Sequence, residues 1–203
     1  MKTKIIGISG VAGSGKDLFF NSLSSKINAK RFALADELKN EVRVPFLNLY
    51  GIDILTCSRE DKETLRPALV SHGLIRRNQT NGRYWVDKLN DKIKASVFSD
   101  FLDGCPHSLH CVTDIRYDSF KKDEVHWLKE EMNGVLVHIS KFKMVDGKKI
   151  YTTAPNTEEA TQNPKLLKKA DYAVEWEHSN GNEEKVNKFI SPIIDDFIKW
   201  ISN

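Results

Sequence analysis

The stretch G-V-A-G-S-G-K-D, Gly10 to Asp17, decides how this sequence is interpreted. It has the spacing of the phosphate-binding loop G-x-x-x-x-G-K-[ST], in which glycines let backbone N–H groups converge on phosphate oxygens and the lysine reaches the β- and γ-phosphates. The apolar run before it and the helical spacing of the apolar residues after it predict the strand, loop and helix that this motif requires. The predicted phosphate site comprises Gly10, Ala12, Gly13, Ser14, Gly15, Lys16, Asp17 and Leu18.

Asp17 stands where the motif has a hydroxyl residue, and its carboxylate has two interpretations. It offers Mg²⁺ a hard anionic oxygen, directly or through water, or it stabilises the first turn of the following helix through the helix dipole. Asp114 closes the apolar segment Leu109–Asp114, where it is either a turn residue or a second magnesium ligand of the Walker-B kind. We predict a magnesium site formed by Asp17 and Asp114, with Arg116 facing the same crevice at the carboxyl ends of the strands.

The composition is that of one globular domain. A chain of 203 residues, 40% hydrophobic and 29% charged, is long enough for a sizeable core. Its 31 basic and 28 acidic residues are too balanced for a protein that coats nucleic acid. The three cysteines include no C-x-x-C pair and indicate neither a disulfide framework nor a zinc site. No apolar run approaches membrane-spanning length, so we expect a soluble cytoplasmic protein.

The order of patterns along the chain predicts an α/β fold. Buried-strand patterns at Leu109–Asp114, Gly134–Ser140 and Asp171–Trp176 alternate with helical patterns, which indicates a parallel sheet. The middle third is helical: one helix begins at the N-cap Asp36 and is kinked or ended by Pro45, and two more follow. The polar segment 141–164 interrupts this rhythm and predicts a flap.

Arginines are concentrated in the helical third, where their planar forks suit bidentate binding of a phosphate. A solvated helix face explains Arg59, whereas Arg66, Arg76 and Arg77 are predicted at helix ends, from which they turn into a cleft. Trp85 belongs to an apolar stripe and is interpreted either as a core residue or as a surface on which a base stacks. The cleft is therefore a candidate acceptor site.

Taken in order, these segments resemble the bacteriophage-type deoxynucleoside monophosphate kinases, a family with the P-loop kinase fold. The likeness covers nearly the whole chain. It rests on the G-K-D loop (Gly10 to Asp17), F-x-L-A-D-x-L-K (Phe32 to Lys39), R-P-x-L-x-x-x-G (Arg66 to Gly73), the arginine and Y-W-V pattern (Arg76 to Val86), V-T-D-I-R (Val112 to Arg116), and a late D-Y strand that runs into Asn180-Gly181.

This resemblance implies a single three-layer P-loop kinase domain over residues 1–203, with a core parallel sheet, a helical monophosphate-binding region at 36–103 and a lid at 141–165. It implies transfer of the γ-phosphoryl group of ATP, with Mg²⁺, to a (deoxy)nucleoside 5′-monophosphate. The partners are small nucleotides, not a membrane or a nucleic-acid polymer. Catalysis is assigned to Lys16, Asp17 and Arg116, adenine binding to Asn180 and Gly181, and acceptor binding to Asp36, Lys39, Arg66, Arg76, Arg77 and Trp85.

The segment 141–164 departs from the family, because kinases of this type close an arginine-bearing lid and this segment contains no arginine. Lys141 and Lys143 are lid cations instead, and Arg116 is the candidate for the stabilising guanidinium. Two other functions remain open: a kinase for another phosphorylated small molecule, as phosphomevalonate kinases also resemble the G-K-D loop, and a nucleotide sensor without turnover. The sequence leaves open the accepted bases, the preference for ribose or deoxyribose, and dimerisation.

Overall fold

A computed structural model describes residues 4–104, 108–178 and 183–202 as an α/β fold. The strands are β1 Lys4–Ser9, β2 Ala29–Phe32, β3 Leu109–Ile115, β4 Val135–Val145, β5 Lys148–Tyr151 and β6 Tyr172–Glu177. The helices are α1 Lys16–Ser24, α2 Leu34–Tyr50, α3 Arg59–Gln79, α4 Arg83–Leu102, α5 Glu124–His126, α6 Thr157–Lys169 and α7 Glu183–Ser202. A π-helical turn, Trp127–Glu131, continues α5. None of the described helices is both long and apolar enough to cross a membrane.

The strands form one six-stranded sheet, which confirms the predicted parallel sheet. β1 lies at its centre, with parallel β3 on one side and parallel β4 on the other. β2 extends the sheet beyond β3, and β6 pairs in parallel with β4. Because parallel strands end at the same edge, the loops that follow β1 and β3 are neighbours, and ligands bind at this edge in open α/β sheets.

Helices cover both faces of the sheet, which gives the predicted three layers. Ile6 and Ile8 of β1 pack on one face with Phe19 of α1 and Phe197 of α7. Ile5 precedes Ile6, so in the alternation of the strand it points to the opposite face. There it packs in a cluster that includes the tryptophan of Trp127–Glu131 and the apolar stripe of α4. Parallel sheets are stable in this arrangement because both faces are removed from water.

The middle third is helical as predicted, but the predicted positions of Asp36 and Arg66 are wrong, and Pro45 does not end its helix. Helix α2 begins at Leu34 after the N-cap Ala33, so Asp36 is in the first turn and is not the cap. Pro45 lies inside α2, which continues to Tyr50. Helix α3 runs unbroken through Pro67, so Arg66 lies within the helix and not at its end. A helix tolerates proline where packing of its other residues outweighs the missing hydrogen bond.

The segment predicted as a flap has more regular structure than its polarity indicated. β4 continues to Val145, and a turn at Asp146 and Gly147 leads back into β5, so its first part is a β-hairpin. Its last part belongs to α6, whose Leu166 is buried in the core. The polar composition arises because the hairpin is exposed on both sides, so its strands lack the apolar run of a buried strand.

Candidate nucleotide site

The loop between β1 and α1 has the backbone conformation of a phosphate cradle. Gly10, Gly13 and Gly15 all have positive φ, at 136°, 79° and 95°, in the region that favours glycine. A Cβ at Gly10 would collide with the backbone oxygen of Ile139, and one at Gly15 would lie 2.5 Å from the ring of Trp176. The backbone conformation favours glycine at all three positions, and the close approach of β4 and β6 additionally requires it at Gly10 and Gly15. The loop ends at the N-terminus of α1, where N–H groups and the helix dipole favour an anion.

Lys16 lies across this loop. Its Nζ donates hydrogen bonds to the carbonyl oxygens of Gly10 at 2.7 Å and Val11 at 3.0 Å. Burial lowers the pKa of Lys16 below its usual value, and the nearby positive charge of Arg116 adds to this effect. Three carboxylates, those of Glu159, Asp114 and Asp17, act in the opposite direction. Three of these four charged residues, Arg116, Asp114 and Asp17, are site residues predicted from the sequence.

Glu159, on the first turn of α6, is a site residue that the sequence analysis missed. Its carboxylate accepts a hydrogen bond of 2.9 Å from the backbone N–H of Ala12 in the phosphate loop. The same carboxylate lies 3.7 Å from the guanidinium of Arg116. A carboxylate therefore occupies one of the backbone N–H groups of the loop. The T-E-E sequence at the start of α6 was the available signal, but it does not reveal which loop α6 approaches.

Asp114 is buried at the end of β3, where its two oxygens each accept a hydrogen bond of 2.8 Å from the backbone N–H groups of Leu34 and Ala35. It thereby caps the start of α2 across the sheet edge, a contact that the sequence did not indicate. Asp17 lies in the first turn of α1. Both carboxylates act on the pKa of Lys16, so both lie near its ammonium group.

A cavity of about 370 Å³ opens at the same edge of the sheet, between β3 and the helical region. It is lined by cations and carboxylates together with apolar side chains of α2, α3 and α4. Among the residues predicted for the acceptor, it is lined by Lys39, Arg66, Arg77 and Trp85, together with Asp114 and Arg116. Lys62, Tyr117 and Glu124 also line it and were not predicted.

The two consecutive arginines Arg76 and Arg77 differ in their placement. Arg77 is buried and forms a bidentate ion pair with Asp123, and its guanidinium lies 4.0 Å from the ring centroid of Tyr117. Arg76 does not line the cavity; it donates to Glu41 at 3.2 Å and lies over the ring of Tyr84. The guanidinium of Arg77 is thus occupied by a buried carboxylate, although its side chain reaches the cavity wall.

The structure places two further acceptor candidates at the surface. Arg66 lines the cavity and is paired with Glu63, an exposed partner that a ligand can displace at little cost. Asp36 does not line the cavity and is bonded to Arg31 at 2.7 Å and Lys39 at 3.3 Å. Arg66, Lys39 and Arg116 are accordingly the predicted cations that the fold brings to the cavity without a buried partner.

Glu124 is buried in the wall of the cavity, at the start of α5. Its Oε2 accepts hydrogen bonds from the backbone N–H groups of Arg116 at 2.6 Å and Tyr117 at 3.0 Å. Burial, with the negative charge of Asp123, raises the pKa of Glu124 to about 8. Glu124 thus fixes the turn that presents Arg116, and it does so largely as a neutral carboxylic acid at neutral pH.

A smaller cavity of about 100 Å³ lies on the other side of the phosphate loop. Gly15 and Leu18 form its loop side, and Lys141, Trp176 and His178 of the β4 and β6 ends face them. The predicted adenine residues Asn180 and Gly181 lie outside the described residues, shortly after His178. Lys143 lies further along the hairpin, in register with Ile150.

Among known proteins, only solved structures were found to be similar to this chain. No protein-family model matches the chain, and no curated protein matches it. The chain is similar to the solved structure of a dephospho-CoA kinase from Campylobacter jejuni, with 14% identity, a TM-score of 0.46, and coverage of 100% of this chain and 98% of that chain.

Two further solved structures are similar at lower scores. One is a Thermus thermophilus protein, with 11% identity, a TM-score of 0.40, and coverage of 97% of this chain and 98% of that chain. The other is a sugar kinase from Janibacter sp. HTCC2649, with 12% identity, a TM-score of 0.40, and coverage of 98% and 95%. Similarity at this level does not establish a function.

Proposed function

We propose that the protein is a kinase that transfers the γ-phosphoryl group of ATP, with Mg²⁺, to a (deoxy)nucleoside 5′-monophosphate. One observation carries the proposal: a glycine-rich phosphate loop with its lysine lies at the same sheet edge as a cation-lined cavity of about 370 Å³. Arg116 belongs to both places, because it lines the cavity and lies 3.7 Å from the Glu159 carboxylate that touches the loop. A donor and an acceptor phosphate can therefore meet at Arg116.

The chemistry needs positioning and charge neutralisation from the protein. An oxygen of the acceptor phosphate attacks the γ-phosphorus of ATP, the bond from that phosphorus to the β,γ-bridging oxygen breaks, and ADP leaves. In this proposal the loop N–H groups and Lys16 hold the donor phosphates, and Arg66 and Lys39 hold the acceptor phosphate. Arg116 lies between them, where it can neutralise charge on the transferred group. A phosphate oxygen is already anionic, so no strong general base is required.

The residues at the loop also fit Mg²⁺. Asp17 and Asp114 both lie near Lys16, and the parts of the chain that are described contain no cluster of three or more metal-binding side chains. This donor set suits Mg²⁺, which is usually held by one or two protein carboxylates together with substrate phosphates and waters. When bound, the ion would neutralise negative charge on the phosphates. Asp114 retains lone pairs beyond its bonds to Leu34 and Ala35, since a carboxylate has about four acceptor sites.

A panel of acceptors tests the proposal. Purified protein with ATP and Mg²⁺ is incubated with each deoxynucleoside and ribonucleoside monophosphate, and ADP release is coupled to a spectrophotometric readout. We expect turnover with at least one nucleotide and a kcat lower by about two or more orders of magnitude with Lys16→Met. ATP binding without turnover on any acceptor would support a sensor instead.

The cavity lining favours one second candidate, a kinase for a phosphorylated small molecule with an apolar body. Among the described residues that line the cavity, Tyr117 is the sole one with an uncharged hydroxyl or amide side chain. Its apolar lining includes Leu38, Ile54, Leu69, Leu74 and Trp85. Such a lining can enclose either an apolar group or a nucleobase. The panel therefore includes 5-phosphomevalonate, and turnover with it alone would replace the nucleotide proposal.

A further inference from the structure

We propose that Trp176 is a positioning residue of the phosphate loop: its indole N–H holds the Ser14 carbonyl and thereby sets the orientation of the adjacent loop N–H for the nucleotide. The inference rests on the proposed function in that it takes the loop as an ATP site. It assigns a residue of the last strand of the sheet, 162 positions away in sequence from the carbonyl it binds, to the binding machinery.

The contact is short and shielded from water. Trp176 lies near the end of β6, opposite Lys141 of β4, and is 7% exposed. Its Nε1 donates a hydrogen bond of 2.8 Å to the backbone oxygen of Ser14. Ser14 itself is fully buried. A hydrogen bond in such a place is worth more than one at the surface, because breaking it leaves both groups unsatisfied.

The bond determines where the next N–H points. Ser14 and Gly15 share one peptide unit, which is planar and trans, so its C=O and N–H point in opposite directions. With the Ser14 oxygen directed at Trp176 of β6, the N–H of Gly15 is directed away from that residue. An N–H turned away from the sheet is available to an anion, as phosphate-binding loops require.

The ring of Trp176 also restricts the loop by contact. A Cβ on Gly15 would lie 2.5 Å from Cζ2 of the indole, so the ring lies directly against the glycine backbone. Behind the loop, the indole packs with Phe19 of α1, at 6.5 Å between ring centroids. Gly15, with φ of 95°, could adopt other conformations at little cost. The indole therefore supplies the restriction that glycine itself lacks.

Two substitutions separate the hydrogen bond from the packing. Trp176→Phe keeps an aromatic ring in the core and removes the donor. Trp176→His removes the six-membered part of the indole but retains an N–H, since the imidazole Nε2 occupies the ring position of the indole Nε1. Trp200→Phe is the control, because Trp200 packs on Tyr172 and Phe197 of the same core face. All variants are measured at pH 8, where the new histidine is neutral.

The readouts are ATP and ADP dissociation constants by calorimetry, amide exchange of residues 10–16 in the ligand-free protein, and melting temperature. Trp176→Phe should weaken ATP binding about three- to ten-fold, the range expected for one lost buried hydrogen bond. Its loop amides should exchange faster, while its KM for the acceptor stays within about two-fold of the parent's. Trp176→His should melt at a lower temperature than Trp176→Phe and yet bind ATP within about two-fold of the parent.

The inference is overturned if Trp176→Phe binds ATP as the parent does, or if both Trp176 variants lose affinity in proportion to their lost stability. Binding and exchange require no turnover. A protein that binds ATP but phosphorylates no acceptor would therefore contradict the kinase proposal and leave the role of Trp176 decided by these measurements. If the parent binds no nucleotide, the loop assignment fails, and the positioning role fails with it.

Discussion

At the scale of single residues, Lys16 is the side chain on which the phosphate-loop assignment depends. We expect Lys16→Met to lower kcat by about two or more orders of magnitude, because removing a charge at the β- and γ-phosphates withdraws several kcal/mol of transition-state stabilisation. Steady-state kinetics and circular dichroism measure activity and folding together. Lys26→Met is the matched control, since Lys26 forms a surface ion pair with Asp195. A folded Lys16→Met protein with near-normal turnover would contradict the assignment.

A second prediction at this scale concerns Glu159. Its carboxylate accepts a hydrogen bond from the backbone N–H of Ala12, which a phosphate of the nucleotide would use. Glu159→Gln removes the negative charge and keeps the shape, so MgATP no longer displaces an anion. We expect its dissociation constant for MgATP to fall by about three-fold or more, as a like charge is removed from the site. Calorimetry compares it with Glu158→Gln, the same change at the preceding residue of α6, which is also half-buried. Equal or weaker binding in Glu159→Gln would show that Glu159 supports the loop and does not compete with nucleotide.

At the scale of elements, the turn from β3 to α5 depends on one buried carboxyl group. Glu124 binds the backbone N–H groups of Arg116 and Tyr117, and its pKa is raised to about 8, first by burial and then by repulsion from Asp123. A raised pKa in the folded state means that the folded protein binds this proton more tightly than the unfolded chain. The stability that Glu124 contributes is therefore complete below its unfolded pKa near 4.5 and is lost as the pH rises through about 8.

This loss of stability with rising pH predicts how the Glu124→Gln variant behaves. The amide oxygen can still accept from the two N–H groups, but the side chain can no longer ionise. We expect the melting temperature of the parent to fall between pH 6 and pH 9 more steeply than that of Glu124→Gln. Differential scanning calorimetry across this range measures both. Parallel pH profiles would show that Glu124 does not titrate in this window.

At the scale of the whole molecule, the helical region is held together by Glu41 of α2. Its carboxylate accepts hydrogen bonds from His72 and Arg76 of α3 and from Tyr84 and Lys88 of α4. Burial opposes its ionisation, but donation from Lys88, Tyr84 and His72 outweighs burial and lowers the pKa of Glu41 to about 2. One side chain thus joins three helices that line the cavity of about 370 Å³.

We expect Glu41→Gln to reduce stability at pH 7 by about 2 kcal/mol, the scale of a hydrogen bond to a charged group. This corresponds to roughly 5 °C in melting temperature for a chain of this size. Because the folded pKa is depressed, the contribution is present above the unfolded pKa near 4.5 and is lost as the pH falls through about 2. The difference between parent and variant should shrink below pH 4. Glu63→Gln, at an exposed ion pair, should change little.

The sequence by itself determined the local features of this protein. The spacing of Gly10, Gly15 and Lys16 predicted the loop, and the apolar patterns around it predicted the strand and the helix, because these depend on residues close together in the chain. The alternation of strand and helix patterns predicted the parallel sheet. The same patterns placed Asp114 at the end of a strand, where the structure has it.

The tertiary structure decided which distant residues meet. Glu159 reaches Ala12 across 147 positions, and Asp114 reaches Leu34 across 80, contacts that exist because of how the helices pack on the sheet. Arg76 and Arg77 show the same dependence at short range. Neighbours on a helix point about 100° apart. Arg76 therefore faces Glu41 while Arg77 faces Asp123, and the packing of α3 decided that Arg77 reaches the cavity. Periodicity describes one element at a time, whereas a binding site is formed where several elements meet.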